Sequence, residues 1–351
     1  MMKDFCYKDT DLLIFNNEFK GRIPNKIIDT HSHIWNKACL GIPESEYEKH
    51  RKYKPWTDFI YNEQFTIEDY QQCTNQIFPS TTVIGMYFGL PFEKVIIEKT
   101  NAYTIEAATR YHLPFYYIPT QFENIFDTDS KLHLMEKKGF IGFKPYPDLI
   151  EGKHGEISIY DMLNRSVLEF SQKNAMTIML HIPKKEKLRD EQNRRELAEI
   201  ASTYYNVRFI LAHVGRAFIY KDVENLIDFL TKYENIWFDT SCVNDPMVIE
   251  YLFRRFDSSR IVYGSDAPVA YYRGRDVNVN NKHYFVSNKL FPWGFGLINE
   301  DLAELTFIIY EELRAILYAF NAVYGGNEDK HIERFFFINA NQILKEKGMH
   351  F

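Results

Sequence analysis

A chain of 351 residues, 45% hydrophobic and 26% charged, can bury a large core and has the composition of a soluble globular protein. Its net charge of −6 supplies no basic field for a polyanion, which argues against a nucleic-acid partner. No segment approaches the roughly 18 uncharged apolar residues of a membrane span, and the scattered Cys6, Cys39, Cys73 and Cys242 form neither a thiolate metal motif nor a disulfide framework, so a reduced cytoplasm is the expected setting.

The first seventeen residues, MMKDFCYKDTDLLIFNN, mix acids and lysines where a secretory signal would be continuously apolar. From there, short runs rich in β-branched and aromatic residues recur: KIIDTHSHIW (26–35), TTVIGMYFG (81–89), PFYYIPTQF (114–122) and GFIGFKPYP (139–147). The second half adds TIMLHIP (177–183), VRFILAHVG (207–215), NIWFDTSC (235–242) and RIVYGSDAPV (260–269). Helical periodicity fills the gaps at 157–174, where Tyr160, Leu163, Val167 and Phe170 share a face, and at 194–205, 221–233 and 245–256. In the last of these, Asp245 reads as an N-cap and Pro246 as the first helical residue. Eight such repeats predict an α/β fold, a (β/α)₈ TIM barrel; an open doubly wound sheet would carry a Gly-rich turn where His-Ser-His stands. Long loops are expected after strand 1 (36–80) and strand 8 (270–300), followed by C-terminal helices at 302–325 and 331–348. No linker divides the chain, so residues 1–351 are expected to form a single domain, with 1–23 an N-terminal extension and 24–351 the barrel with its insertions.

The chemistry lies at strand ends. His31 and His33 are two residues apart on strand 1, so both imidazoles face the same side. His181 ends strand 5, His213 ends strand 6 and Asp266 ends strand 8; in a barrel all these ends surround one mouth. Each has a structural reading as well: a lone histidine is more often a hydrogen-bonded core residue, and Asp266 would serve as a helix cap. Their joint occurrence on four strands favours a site. Imidazole and carboxylate together suit a borderline ion such as zinc, which acidifies water.

DTHSHIW, LHIP, LAHVGR and YGSDAP, in this order, resemble the amidohydrolase superfamily, in particular the amidohydrolase-related (amidohydrolase 2) group that includes aminocarboxymuconate-semialdehyde decarboxylase and various lactonases; FINANQIL near the C-terminus is similar to an element that ends many members. The resemblance runs from about residue 24 to the C-terminus and is specific to the superfamily, without selecting a reaction. It implies that His31, His33 and His181 ligate one divalent metal, usually zinc, that Asp266 is a further ligand and a proton acceptor, and that His213 is a catalytic base or electrophile. Lys144, at the end of strand 4, is either a substrate-facing ammonium, a carboxylated lysine bridging a second metal that His213 would also bind, or structural.

Arg216, Arg273 and Arg275 are candidate contacts for an anionic small-molecule substrate, and Trp35, Tyr87, Tyr146 and Trp293 for the cleft lining. Cys242 reads as packing, His50 and His283 as loop residues without a role, and Asp29 and Thr30 as supports of the first ligand pair. Hydrolysis of an ester, lactone or amide by activated water is the leading expectation. Decarboxylation of an unsaturated or aromatic acid on the same site is the alternative. A catalytically inactive ligand-binding barrel is disfavoured because every candidate ligand is present. A homo-oligomer is also compatible with the aromatic helices.

Overall fold

A strand that is buried on both faces must be apolar on both, and the eight runs meet that requirement. In a computed structural model describing residues 5–41, 64–91, 95–120, 134–135, 137–150, 156–288, 294–296 and 304–351, they form one parallel sheet in sequential order. The strands are β1 Lys26–His33, β2 Thr82–Phe88, β3 Phe115–Tyr117, β4 Phe140–Phe143, β5 Thr177–Leu180, β6 Arg208–Leu211, β7 Ile236–Asp239 and β8 Ile261–Val262. Backbone bonds between the last strand segment and the first close the sheet into a (β/α)₈ barrel: Thr30 N–H to Tyr263 C=O at 3.0 Å, Asp266 N–H to His31 C=O and His33 N–H to Ala267 C=O, both at 2.8 Å.

Alternate residues divide the core. Ile28, Met86, Tyr116, Met179, Ile210 and Val262 pack together inside the barrel, whereas Ile27, Tyr87, Phe115, Ile178, Leu211 and Phe238 pack in the layer that holds the helices. Asn339 donates to the carbonyls of Ser258 and Ile261 at 2.8 and 2.7 Å, which docks the terminal helix Asn339–Glu346 at the start of β8. Ala340, Ile343 and Leu344 of that helix then join the interior cluster and plug the end of the barrel opposite the strand C-termini. Gly142 is required where β4 meets β5: a Cβ there would lie 1.7 Å from the Thr177 carbonyl oxygen.

The helical expectations hold unevenly. Glu191–Thr203 and Pro246–Arg255 form as read, and the Asp245 side chain accepts from Met247 N–H as an N-cap. The 157–174 segment breaks into Ile159–Met162 and Arg165–Lys173, because Asn164 leaves helical geometry and caps the second piece through Val167 N–H. Over 221–233 no α-helix forms: Asn225 sits at φ 62°, and two 3-10 turns bury Val223, Ile227 and Leu230 instead. The long helix covers Ile308–Tyr324, since Thr306 and Phe307 pair with the hairpin region around Arg273 and Gly274. The 331–348 segment is helical, with a π turn at Arg334–Ile338.

The insertion after β8, expected as a loop, contains strands among its described residues. Gly274–Val279 (β9) and Lys282–Ser287 (β10) form an antiparallel hairpin. Asn280 and Asn281, at φ 53° and 60°, make the two-residue turn that matches strand twist. Of the insertion after β1, residues 42–63, with His50, lie outside the described residues, as does Trp293. No described helix is long and apolar enough to cross a membrane.

Asp29 holds the seam. Buried at 1% exposure, it accepts from Ser32 Oγ (2.6 Å), Ser265 N–H (2.7 Å), Ser265 Oγ (2.6 Å), Tyr70 OH (2.9 Å) and His31 N–H (3.2 Å). Asp29→Ala strands these buried donors and is expected to cost about 3 kcal/mol of stability. Urea unfolding checks this, and a loss below about 1 kcal/mol would show that closure does not depend on the carboxylate.

Candidate active site

The strand C-termini open into a cavity of about 610 Å³ whose wall includes His33, His181, His213 and Asp266. His213 and Asp266 reach it from left-handed backbone, at φ 55° and 62°, a conformation that non-glycine residues adopt at a cost and that clusters at functional sites. His31 lies just beneath, 1% exposed. Asp239, the last residue of β7, is fully buried behind it.

Hydrogen bonds orient each imidazole. His31 Nδ1 lies 2.9 Å from Asp239 Oδ2, His33 Nδ1 3.1 Å from the Gly89 carbonyl, and His213 Nδ1 2.8 Å from the Ser241 carbonyl. A carbonyl only accepts, so Nδ1 carries the proton in His33 and His213, and the Asp239 carboxylate imposes the same on His31. The three Nε2 atoms are therefore left for the site. Two of them converge on one carboxylate oxygen: Asp266 Oδ1 is 3.2 Å from His31 Nε2 and 3.0 Å from His33 Nε2. The other oxygen, Oδ2, is 4.0 Å from His213 Nε2.

Burial and charge set the protonation pattern. Burial pulls His33 down and takes His213 to about 4, against the opposing pull of Asp266. His181 lies well below its ordinary value, through burial and then the nearby Arg216 and His213. His31 moves the other way: burial and the Lys144 cation lower it, but Asp239 and Asp266 outweigh them. Burial pushes Asp266 up, yet the surrounding histidines, His31 foremost, hold it well below the usual carboxylate range. Of the three imidazoles around Asp266, His31 therefore has the strongest pull on a proton.

That arrangement suits a cation. His31, His33 and Asp266 offer ligand atoms within 4.8 Å of one another, and so do His31, His213 and Asp239. Of the first set, His33 and Asp266 line the cavity and His31 lies beneath them. In the second, the Nδ1 atoms of His31 and His213 are already engaged with Asp239 and Ser241, whose hydroxyl also lies 3.1 and 2.9 Å from them. Nitrogen and carboxylate donors with neutral imidazoles fit a divalent transition ion.

The match to a family model described as amidohydrolase covers residues 28–278, which is most of the chain and every strand of the barrel. The chain belongs to the amidohydrolase family. No curated protein matches it in sequence. Similar solved structures include an amidohydrolase 2 from Bifidobacterium longum subsp. infantis, at 13% identity and TM-score 0.55, over 92% of this chain and 99% of that one. An amidohydrolase from Burkholderia multivorans gives 11% and 0.56 over 91% and 99%, and 4-oxalomesaconate hydratase from Rhodopseudomonas palustris gives 13% and 0.54 over 91% and 96%. At such identities these likenesses speak for the fold alone.

Within this amidohydrolase site, the sequence-predicted residues fall into two groups. His31, His33, His213 and Asp266 converge. His181 lines the cavity, its ring 5.5 Å from that of His213 and 4.8 Å from that of Tyr146, but it belongs to neither ligand cluster; its Nδ1 is buried and among the described residues has no hydrogen-bond partner. Lys144 is fully buried and does not line the cavity; Nζ lies 3.5 Å from His31 Nε2, so the expectation of a substrate-facing ammonium is corrected. Burial lowers its pKa to about 8. Arg216 does line the cavity, one nitrogen anchored on the carbonyls of Ile182 and Lys184 at 2.9 and 3.0 Å. Arg273 is also corrected: its guanidinium is committed to both oxygens of buried Asp11 and to the carbonyls of Cys6 and Leu305, tying the N-terminal segment down. Arg275 pairs with Glu311 and stays outside the cavity. Trp35 and Tyr146 line it, with Cys242, while Tyr87 is core.

Asp239 is the residue that sequence reading passed over, though it ends a barrel strand exactly as Asp266 follows one. It accepts from His213 N–H at 2.8 Å, Ser241 N–H at 3.1 Å and Ser241 Oγ at 2.6 Å, besides holding His31. Asp239→Asn removes the anion that fixes the His31 tautomer and is expected to weaken divalent-metal affinity by roughly 10–100-fold. Competition against a chelating dye measures this; unchanged affinity would mean that His31 is not a ligand.

Proposed function

We propose that the protein is a metal-dependent hydrolase that cleaves an ester, lactone or amide bond of a small anionic substrate with activated water. The observation that carries this reading is the convergence of the Nε2 atoms of His31 and His33 on one oxygen of Asp266, with His213 Nε2 facing the other. His31, His33 and Asp266 would hold the ion, and neutral His181, whose buried Nδ1 has no hydrogen-bond partner among the described residues, is the candidate fourth ligand. When bound, a divalent ion such as zinc supplies Lewis acidity, polarising a carbonyl and making water more acidic.

The chain's own groups handle the rest. Asp266 Oδ2 is the carboxylate oxygen not shared between His31 and His33, and it accepts the proton from the attacking water. His213, its Nδ1 proton locked on the Ser241 carbonyl, presents a neutral Nε2 that orients that water or stabilises the polarised carbonyl, and relays the proton to the leaving group. Arg216, anchored through one nitrogen, has the remainder of its planar fork for a substrate carboxylate. The apolar wall, including Trp35, Leu90 and Phe218, excludes bulk water and strengthens these interactions.

Buried Lys144, beside His31 and without an ion pair to a carboxylate among the described residues, admits a second form of the site. Its lowered pKa favours the neutral amine, the form that adds carbon dioxide to give a carbamate, and that carbamate together with His213 would hold a second ion.

Metal content and intact mass, measured on protein purified without chelator, test the assignment. One ion per chain and unmodified Lys144 are expected; two ions with a carbamate would assign the binuclear form. His33→Ala should lower metal affinity by at least about 100-fold and abolish turnover. Full metal content and turnover in that variant would overturn the site. For the reaction class, turnover of a panel of lactones, esters and carboxylic acids in ¹⁸O-water should place the label in product; carbon dioxide release without label would assign the lyase instead.

A further inference from the structure

The hairpin after β8 carries a polar pair that the reaction above does not use. His283 Nε2 lies 2.5 Å from Asp276 Oδ1, and both residues line the cavity. Asp276 is braced in turn by Asn244: Asn244 Nδ2 donates to Asp276 Oδ2 at 2.9 Å, and Asp276 N–H donates to Asn244 Oδ1 at 2.8 Å. Asn244 follows β7 five residues after Asp239, so the pair is tied to the same strand that orients His31. Phe218 sets the spacing. Its ring stacks on His283 (centroids 5.0 Å, interplanar angle 19°) and lies 5.8 Å from the His213 ring. One aromatic ring therefore separates this pair from the metal-site histidine.

We propose that the Asp276–His283 pair is a distal anchor of the substrate cavity, binding a carboxylate at the end of the substrate remote from the bond that reacts. The proposal rests on the hydrolase reading and adds the residues that select the substrate. Three observations favour recognition over a bracing role. The reciprocal Asn244–Asp276 bonds already dock the hairpin without His283. The His283 side chain remains 27% exposed against 8% for Asp276, and among the described residues its Nδ1 has no hydrogen-bond partner. Lys184, Lys185 and Arg216 line the same cavity, whose acids among the described residues are Asp148, Asp266 and the engaged Asp276. Lys184 is partly occupied by Gln192 and Asp190, at 2.6 and 3.4 Å. An imidazole whose far nitrogen donates to a carboxylate binds a second anion through its near nitrogen by taking up a proton there, and that N–H is then a charge-assisted donor. A substrate with acidic groups at both ends would lie along Phe218, one end at the ion and Asp266, the other at His283.

The test uses the metal-loaded full chain and pairs of non-reacting probes: succinate, glutarate and adipate, each against the monocarboxylate of equal carbon number, titrated by calorimetry. At least one dicarboxylate should bind about tenfold more tightly than its partner. His283→Gln should erase most of that preference while monocarboxylate affinity, metal content and melting temperature stay as in the wild type; Asp276→Asn should weaken it in part. A loaded wild type without dicarboxylate preference, or a preference that persists in His283→Gln, overturns the anchor alone. A chain that takes up no ion overturns the hydrolase reading, and the anchor with it.

Discussion

The seam between β1 and β8 is where this barrel is both closed and made functional, and a single carboxylate holds it. Asp29 takes hydrogen bonds from the backbone of His31 on one side and of Ser265 on the other, the immediate neighbours of the residues that meet across the cavity mouth. Thr30 adds a side-chain bond to the Tyr263 carbonyl at 2.8 Å. A register shift in β1 between Asp29 and Ser32 accompanies this cluster. In a closed barrel the last strand has only one place to dock, so fixing that register fixes the distance from His31 and His33 to Asp266. Closure and ligand convergence are the same constraint.

Burying so much charge is costly unless each group is satisfied, and the structure compensates at two levels. Near the cavity, Asp239 and Asp266 bracket His31. Deeper, Glu312 of the long helix accepts from Thr240 Oγ1 and Cys242 N–H, both at 3.1 Å, and burial pushes its carboxyl well above the usual range. The long C-terminal helix thus secures the loop after β7, the loop that also carries Ser241 and Asn244. Catalytic geometry at the mouth depends on packing contributed by residues at the far end of the sequence.

Much of this was legible in the sequence because a barrel converts position into geometry. Once eight strands are counted, any residue at a strand end is at the mouth, and His31, His33, His181, His213 and Asp266 were found that way. What position alone does not reveal is direction and partnership. Lys144 follows β4 just as His181 follows β5, yet it sits beneath the cavity beside His31 rather than on its wall. Arg273 was read as free because its partner, Asp11, is 262 residues away in sequence. Asp239 was passed over because a strand-ending aspartate before Thr-Ser-Cys looks like an ordinary cap. The hairpin's alternation, from Asp276 to Phe285, was present but broken by polar Asn residues that read as loop.

The tautomers give the site its selectivity between a proton and a metal. Each of His31, His33 and His213 donates through Nδ1 to an acceptor outside the cluster, so the three imidazoles turn lone pairs toward the Asp266 carboxylate. A single proton near His31 can relieve one contact at a time, whereas a divalent ion accepts several donors at once, and its binding must expel that proton. Metal retention should therefore fall as acidity rises through the range where His31 regains its proton, a range raised by Asp239 and Asp266 above that of an ordinary histidine. The same two carboxylates that make the site attractive to a cation also raise the affinity of His31 for a proton, so cation and proton compete for one place.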